Sequence, residues 1–269
     1  MLEAGLALLF GLLIGSFLNV CIFRMPRDLS VVRPRSYCPA CKHPIAWYDN
    51  VPLASFAILG GRCRHCKTAI PRRYPLVELL TGVLFFVYVW RFGATPQGLK
   101  FCLYGALLIG LSFADLEERI LPDEFTLGGL AAALVLAWFV PLGDDIARGL
   151  LWLAGAHWSD RATSLAEAAL GAILPGLFLW LGGRLYLKLR HREGLGLGDV
   201  KLVCMVGAFL GLRGTLLTLI VGSLAGSVIG YTYIRLARKD PATYELPFGT
   251  FLGAAAIAVS LTGPATLGW

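Results

Sequence analysis

Gly194-Leu195-Gly196-Leu197-Gly198-Asp199-Val200-Lys201 places one acid at the end of a glycine-rich turn and at the start of an apolar run. Glycine has no Cβ, so this turn can adopt backbone conformations closed to other residues and can admit another segment or a peptide close to Asp199. Taken alone, the pattern also fits an Asp that caps a helix beginning at Val200. A second acid in matching surroundings favours the first reading. Leu111-Ser112-Phe113-Ala114-Asp115-Leu116-Glu117-Glu118-Arg119-Ile120-Leu121-Pro122-Asp123 ends one apolar run as the first stretch begins another. Between Lys100 and Asp115 there are 14 uncharged residues, and between Lys201 and Arg213 there are 11. A helix needs about 20 to cross the hydrocarbon of a bilayer, so both helices are expected to run past their acids. Carboxylates at such depth are costly, and two of them at one membrane face read as a functional pair.

Composition fixes the solvent. The chain of 269 residues is 57% hydrophobic and 15% charged, with a mean hydropathy of +0.70, which excludes an ordinary soluble domain and points to an all-α polytopic membrane protein. The net charge of +7 could mark a nucleic-acid binder, but the basic residues cluster in short loops as membrane topology requires, so no nucleic-acid partner is expected. Gly5 to Phe23 reads as a retained first helix, since it has no small-residue cleavage site and runs directly into Arg24, Pro26 and Arg27. Further helices are expected near 75–92, 99–116, 124–142, 166–188, 199–212, 214–235 and 247–267, making eight spans. Sorting the loops on that count puts 19 Lys and Arg on one face (24–73, 115–124, 184–201 and 235–245), and five on the other: Arg91, Lys100, Arg148, Arg161 and Arg213. The positive-inside rule then places both aspartates and the long first loop in the cytoplasm, with both termini outside.

That first loop carries Cys38-Pro39-Ala40-Cys41 and, 21 residues later, Cys63-Arg64-His65-Cys66. Two Cys-x-x-Cys pairs match a tetrahedral zinc ribbon or knuckle, and a reducing cytoplasmic face disfavours disulfides. With four thiolates bound no position stays open for water, so zinc at Cys38, Cys41, Cys63 and Cys66 is expected to be structural. His43 and His65 are expected at the surface, while Cys21, Cys102 and Cys204 lie in apolar spans as small packing residues.

Several segments stand together in an order that resembles the bacterial type IV prepilin peptidases over nearly the whole chain. They are Gly15-Ser16-Phe17-Leu18-Asn19-Val20 with Arg24-Met25-Pro26-Arg27, the two Cys-x-x-Cys pairs, Arg73-Tyr74-Pro75-Leu76-Val77-Glu78, the Asp115 to Asp123 segment, Gly196-Leu197-Gly198-Asp199 and Pro247-Phe248-Gly249. The resemblance is to the bifunctional members. It implies an N-terminal domain over 1–95, with the cysteine loop and an association with methyl transfer, and an aspartic peptidase domain over 96–269. It further implies Asp115 and Asp199 as the catalytic pair, type IV prepilins and pseudopilins as substrates, and cleavage after a Gly at the cytoplasmic face of the inner membrane. Methylation of the new amino terminus, with S-adenosylmethionine as donor, is also implied. Two departures are visible: Phe248-Gly249-Thr250-Phe251 has Thr where the family often has Pro, and an extra outer segment lies near Gly143 to Ser164. Neither is expected to touch the acids. Within that segment Gly149 to Ala154, with His157 and Trp158, is too short to span and reads as an interfacial helix or a re-entrant segment.

Other polar residues have plainer expectations. Asp123 follows Pro122 and sits where an N-cap for the fourth helix belongs, while Glu117 and Glu118 read as solvated loop residues. Glu78, just inside an apolar span, is expected to pair with Arg72 or Arg73, or to belong to the methyl-transfer site. Lys201 can snorkel to the interface, and Asn19 can hydrogen-bond another helix. Two carboxylates sharing a site can share a proton, so one can take a proton from water while the other donates to the scissile carbonyl. The competing readings are a presenilin-like intramembrane protease without methylation, which would not need the cysteine loop, a zinc-stabilised scaffold, which would not need the acid pair, and a transporter. A transporter would also bury acids but is expected to show paired interrupted helices in two related halves, absent from this sequence.

Overall fold

The computed structural model describes residues 1–156, 158–192, 194–238 and 246–266. His157, the 239–245 part of the last basic loop and position 267 of the expected final helix lie outside the described residues. The fold is all α. Its helices are α1 (Leu2–Arg24), α2 (Ala54–Ile58), α3 (Arg73–Phe92), α4 (Pro96–Glu118), α5 (Asp123–Phe139), α6 (Ile146–Leu153), α7 (Asp160–Arg190), α8 (Leu197–Leu236) and α9 (Phe248–Thr266). Among the described residues there is no strand. Five helices, α1, α3, α4, α7 and α8, are long and apolar enough to cross a membrane, whereas α5 has only 17 residues. Leu6, Leu9, Phe10 and Leu13 on α1, and Ile173, Leu177 and Phe178 on α7, are exposed, as lipid-facing side chains should be.

Both acid-bearing helices extend past their acids as expected, α4 to Glu118 and α8 back to Leu197. Glu117 and Glu118 therefore form the last turn of α4 and are not loop residues. The expected helices 199–212 and 214–235 are parts of one 40-residue run, with a break at Gly211 (φ 75°, ψ −176°) and no intervening loop at Arg213. That is about twice the length one crossing requires. The break frees the N–H groups of Leu212 and Arg213, which donate to Asp144 Oδ2 at 2.8 Å and Oδ1 at 3.3 Å. Freed backbone donors at membrane depth need an acceptor inside the protein, and the buried Asp144 supplies one. A Cβ at Gly211 would stand 2.8 Å from the Asp144 side chain, so both the positive φ and the approach require glycine here.

The chain divides into two compact units, Met1–Gly110 and Leu111–Trp269, with the division inside α4. In the first unit α1 packs on α3 through small residues: a Cβ at Gly11 would meet Thr81 O at 2.8 Å, and one at Gly15 would meet Glu78 Cα at 2.7 Å. Asn19 fastens this pair by donating to Tyr74 O at 3.0 Å, the interhelical bond expected of it. The N-terminal half of α4 completes the unit through Phe101, whose ring stacks on Phe92 at 4.8 Å and Tyr88 at 5.6 Å. Cys21 and Cys102 are buried packing residues.

In the second unit α7 and α8 meet at Gly171 and Gly207, where a side chain on either would overlap the other's backbone. Farther along α8, Gly222, Gly226 and Gly230 face Leu252, Phe251 and Leu246. That four-residue spacing lays one small-residue stripe against α9 and its approach. Ser164 of α7 ties down the end of α5, accepting from Leu142 N–H at 3.0 Å and donating to Ala137 O at 2.6 Å. Between α5 and α7, α6 is an eight-residue helix with Leu150, Trp152 and Leu153 exposed, too short to span a membrane.

Candidate active site and metal centre

Asp115 lies in the last turn of α4 with 6% of its surface exposed. Its Oδ2 accepts from Thr250 N–H at 2.7 Å and lies 2.9 Å from the Thr250 hydroxyl, which is also 2.9 Å from Ser112 O. The expectation that the Thr250 departure stays clear of the acids is therefore wrong. The Thr250 amide, in the first turn of α9, points at Asp115, and an unpaired amide at a helix start favours a carboxylate there.

Asp199 is half-buried and is the third residue of α8, with Gly196 as the N-cap residue. It does not cap a helix beginning at Val200. Instead its carboxylate turns back to accept from Gly196 N–H, as an acid at this position does in a capping box, and it lies close enough to Asp115 for their charges to interact. Leu121 fills the space beside the acids. A Cβ at Gly198 would stand 3.2 Å from Leu121 Cβ; one at Gly249 would stand 3.1 Å from Leu121 Cδ1 and 3.2 Å from Asp115 Cγ. Within the second unit, the ends of α4, α8 and α9 thus converge on one leucine because two glycines leave it room.

Asp123 has another partner. Pro122, with ψ 135°, is the N-cap residue of α5, which leaves Asp123 as the first helical residue with no capping bond. Its carboxylate takes Lys201 Nζ at 2.7 and 2.9 Å. Lys201 is accordingly held by Asp123 and does not snorkel away, although a pair this exposed stabilises by at most about 1 kcal/mol. Glu78 pairs with neither Arg72 nor Arg73 among its described contacts. Its buried carboxylate accepts from Leu53 N–H at 2.8 Å and is hydrogen-bonded by Ser16, fastening the first loop to α3 and α1.

In that loop the sulfur atoms of Cys38, Cys41, Cys63 and Cys66 all lie within 4.8 Å of one another, and the Cys38 and Cys66 sulfurs are 3.8 Å apart. Four sulfurs at about 2.3 Å from a tetrahedral zinc would stand about 3.8 Å apart, the separation already seen for Cys38 and Cys66, so the group fits that metal with shifts of no more than about 1 Å. Each pair is shaped by the same turn. Cys38 N–H donates to His43 O at 2.9 Å and Lys42 N–H to Cys38 O at 2.8 Å, while Cys63 N–H donates to Thr68 O at 2.9 Å and Lys67 N–H to Cys63 O at 3.1 Å. Lys42 and Lys67 both adopt φ 59°, and Ile45 and Ile70 close the two turns with equal 2.8 Å bonds to Ser36 O and Gly61 O. This internal repeat was legible as Cys-x-x-Cys-Lys-x-x-Ile at both places. Hydrogen bonds from the Thr68 hydroxyl and N–H bring the Cys66 thiol down to about 6. At Cys41 the His43 N–H acts in the same direction, but desolvation and the neighbouring thiols carry the group up to about 11. His43 and His65 are exposed, as expected, and stack with ring centroids 3.5 Å apart. Asp49 braces the second turn through a two-pronged bond from Arg64 at 2.6 and 2.7 Å.

Residues 9–92 match the model of the bacterial peptidase A24 N-terminal domain, and residues 102–231 match that of the type IV leader peptidase family. The chain is 43% identical over 229 residues to the prepilin leader peptidase/N-methyltransferase of Myxococcus xanthus, which covers 85% of this chain and 62% of that protein. It is 34% identical over 279 residues to the protein of the same name from Pseudomonas aeruginosa, covering 95% and 89% of the two chains. Against the one from Aeromonas salmonicida it is 35% identical over 297 residues, covering 100% and 94%. No solved structure matches the chain. Family models match within both units, and relatives covered over about nine-tenths of their length exceed 30% identity, so the chain belongs to the type IV leader peptidase family.

Proposed function

We propose that the chain cleaves type IV prepilins and pseudopilins after a Gly at the cytoplasmic face of the inner membrane and N-methylates the new amino terminus. The relatives' shared name supports both activities. The observation that supports the peptidase reading is that Asp199 stands close enough to Asp115 for their charges to interact, with Leu121 packed against Gly198 and Gly249 beside them. Acids in that arrangement need no nucleophilic side chain. One carboxylate takes a proton from a water molecule as it attacks the scissile carbonyl, and the other donates a proton to the carbonyl oxygen; as the C–N bond breaks, the first acid passes its proton to the leaving amine and the second recovers one from the diol hydroxyl. Gly198 and Gly249 let Leu121 pack beside the acids, so a peptide backbone reaches them only where this leucine gives way.

In this reading the membrane is crossed eight times, with α8 crossing twice about Gly211, both termini outside and the cysteine loop in the cytoplasm; the 19-to-five division of Lys and Arg supports it. Residues 1–95 serve methylation and 96–269 cleavage. Zinc bound by Cys38, Cys41, Cys63 and Cys66 would fix the loop and, with four thiolates, offers no position for catalysis. S-adenosylmethionine would supply the methyl group. Glu78, whose buried carboxylate holds Leu53 of the cysteine loop, is the candidate residue for its site. The deciding experiment incubates the purified protein with a prepilin and S-adenosylmethionine and measures product mass. The expected product has lost its leader and gained one methyl group. A shortened but unmethylated product would favour a protease alone, and intact prepilin would refute the reading.

A further inference from the structure

Thr250 presents two donors to a single oxygen of Asp115. Its N–H lies 2.7 Å and its hydroxyl 2.9 Å from Oδ2, and Ser112 O, 2.9 Å from the same hydroxyl, is the alternative acceptor. A backbone N–H can only donate, so Oδ2 must accept in either protonation state of the carboxyl. The protonated oxygen of a carboxyl group is the poorer acceptor, which sends any proton on Asp115 to Oδ1. The donor is well placed, because Thr250 is the third residue of α9 and its N–H has no partner within the helix. Gly249 beside it allows the approach, since a Cβ there would come within 3.2 Å of Asp115 Cγ.

We infer that Thr250 is a positioning residue: it holds Asp115 by Oδ2 and leaves Oδ1 as the oxygen that exchanges protons during cleavage. This rests on the reading of Asp115 and Asp199 as the catalytic pair. The hydroxyl has one proton and two acceptors, so it can turn between Asp115 and Ser112 O as the charge on the carboxyl changes, and neither state leaves it unpaired. The backbone N–H remains when the hydroxyl is removed, so loss of the hydroxyl should reduce turnover without abolishing it.

Thr250→Val keeps the shape and the N–H but removes the hydroxyl, Thr250→Ser restores it, and Thr250→Ala separates the hydroxyl from any packing defect of the valine. With purified protein and a prepilin, Val and Ala should each lower kcat about tenfold at unchanged KM, while Ser stays within about twofold of the parent. An unchanged kcat in Val and Ala would overturn the inference. So would a Ser variant as slow as Val, or a loss confined to KM. Asp115→Asn, assayed alongside, separates the two levels. If it still cleaves, the catalytic pair itself is misassigned; if it is inactive while Val and Ala are normal, only the role of Thr250 fails.

Discussion

In the cysteine loop each pair of ligands stands three residues apart in one hydrogen-bonded turn, and that turn is made twice with the same bonds from Cys38 and Cys63. At the acid pair nothing is local. Asp115, Asp199 and Thr250 come from three helix ends, and they meet because Gly198 and Gly249 leave space for Leu121. The first site can form from its own segment and a metal, whereas the second exists only when the ends of α4, α8 and α9 are packed. Damage to the two should therefore separate.

The largest effect is expected at the acids. Asp199→Asn keeps the side chain's size but removes its proton cycling, so cleavage should fall roughly a thousandfold or more. The Asp115→Asn/Asp199→Asn double variant should be hardly slower than either single one, since residues that act as one unit are not additive. All three should retain zinc, and a variant that loses both metal and cleavage would break the separation. Cys38→Ser probes the other side. Elemental analysis should find about one zinc per chain in the parent and little in the variant. Methylation should drop at least about tenfold while cleavage changes by less than about threefold. Equal losses would show that the loop serves both activities. A smaller effect is expected from Gly207→Ala, which forces a methyl against Gly171 and should cost about 1–3 kcal/mol of stability, read as a lower unfolding temperature in detergent with the zinc content unchanged.

The contrast also explains what could be read from the residues. The metal ligands, the helical class and the two acids are local patterns: Cys-x-x-Cys spacing, long apolar runs, and charges at their ends. Their neighbours are not. Thr250 follows Asp115 by more than a hundred residues, and only the Pro247-Phe248-Gly249 segment hinted at a role for that turn, so the bond between them was missed. Asp123 fits an N-cap by sequence, yet the structural competition between a helix-end amide and the Lys201 ammonium is decided by the packing of α8, which no local pattern records. Gly211 went unnoticed because a helix break in an apolar run looks like any other glycine until Asp144 is seen covering the freed amides. Glu78 was expected to find a basic neighbour and found a backbone N–H from the first loop.

The most direct test compares Asp115→Asn with Asp123→Asn in the same prepilin cleavage assay. Both replace an acid with its amide, and the two positions are eight residues apart in the sequence, but only Asp115 is bonded by Thr250 and close enough to Asp199 for their charges to interact, while Asp123 faces Lys201 at the surface. The expected result is an inactive Asp115→Asn and an Asp123→Asn within about twofold of the parent, as befits the loss of one exposed ion pair. Near-normal cleavage by Asp115→Asn with an inactive Asp123→Asn would contradict the account and make Asp123 the partner of Asp199.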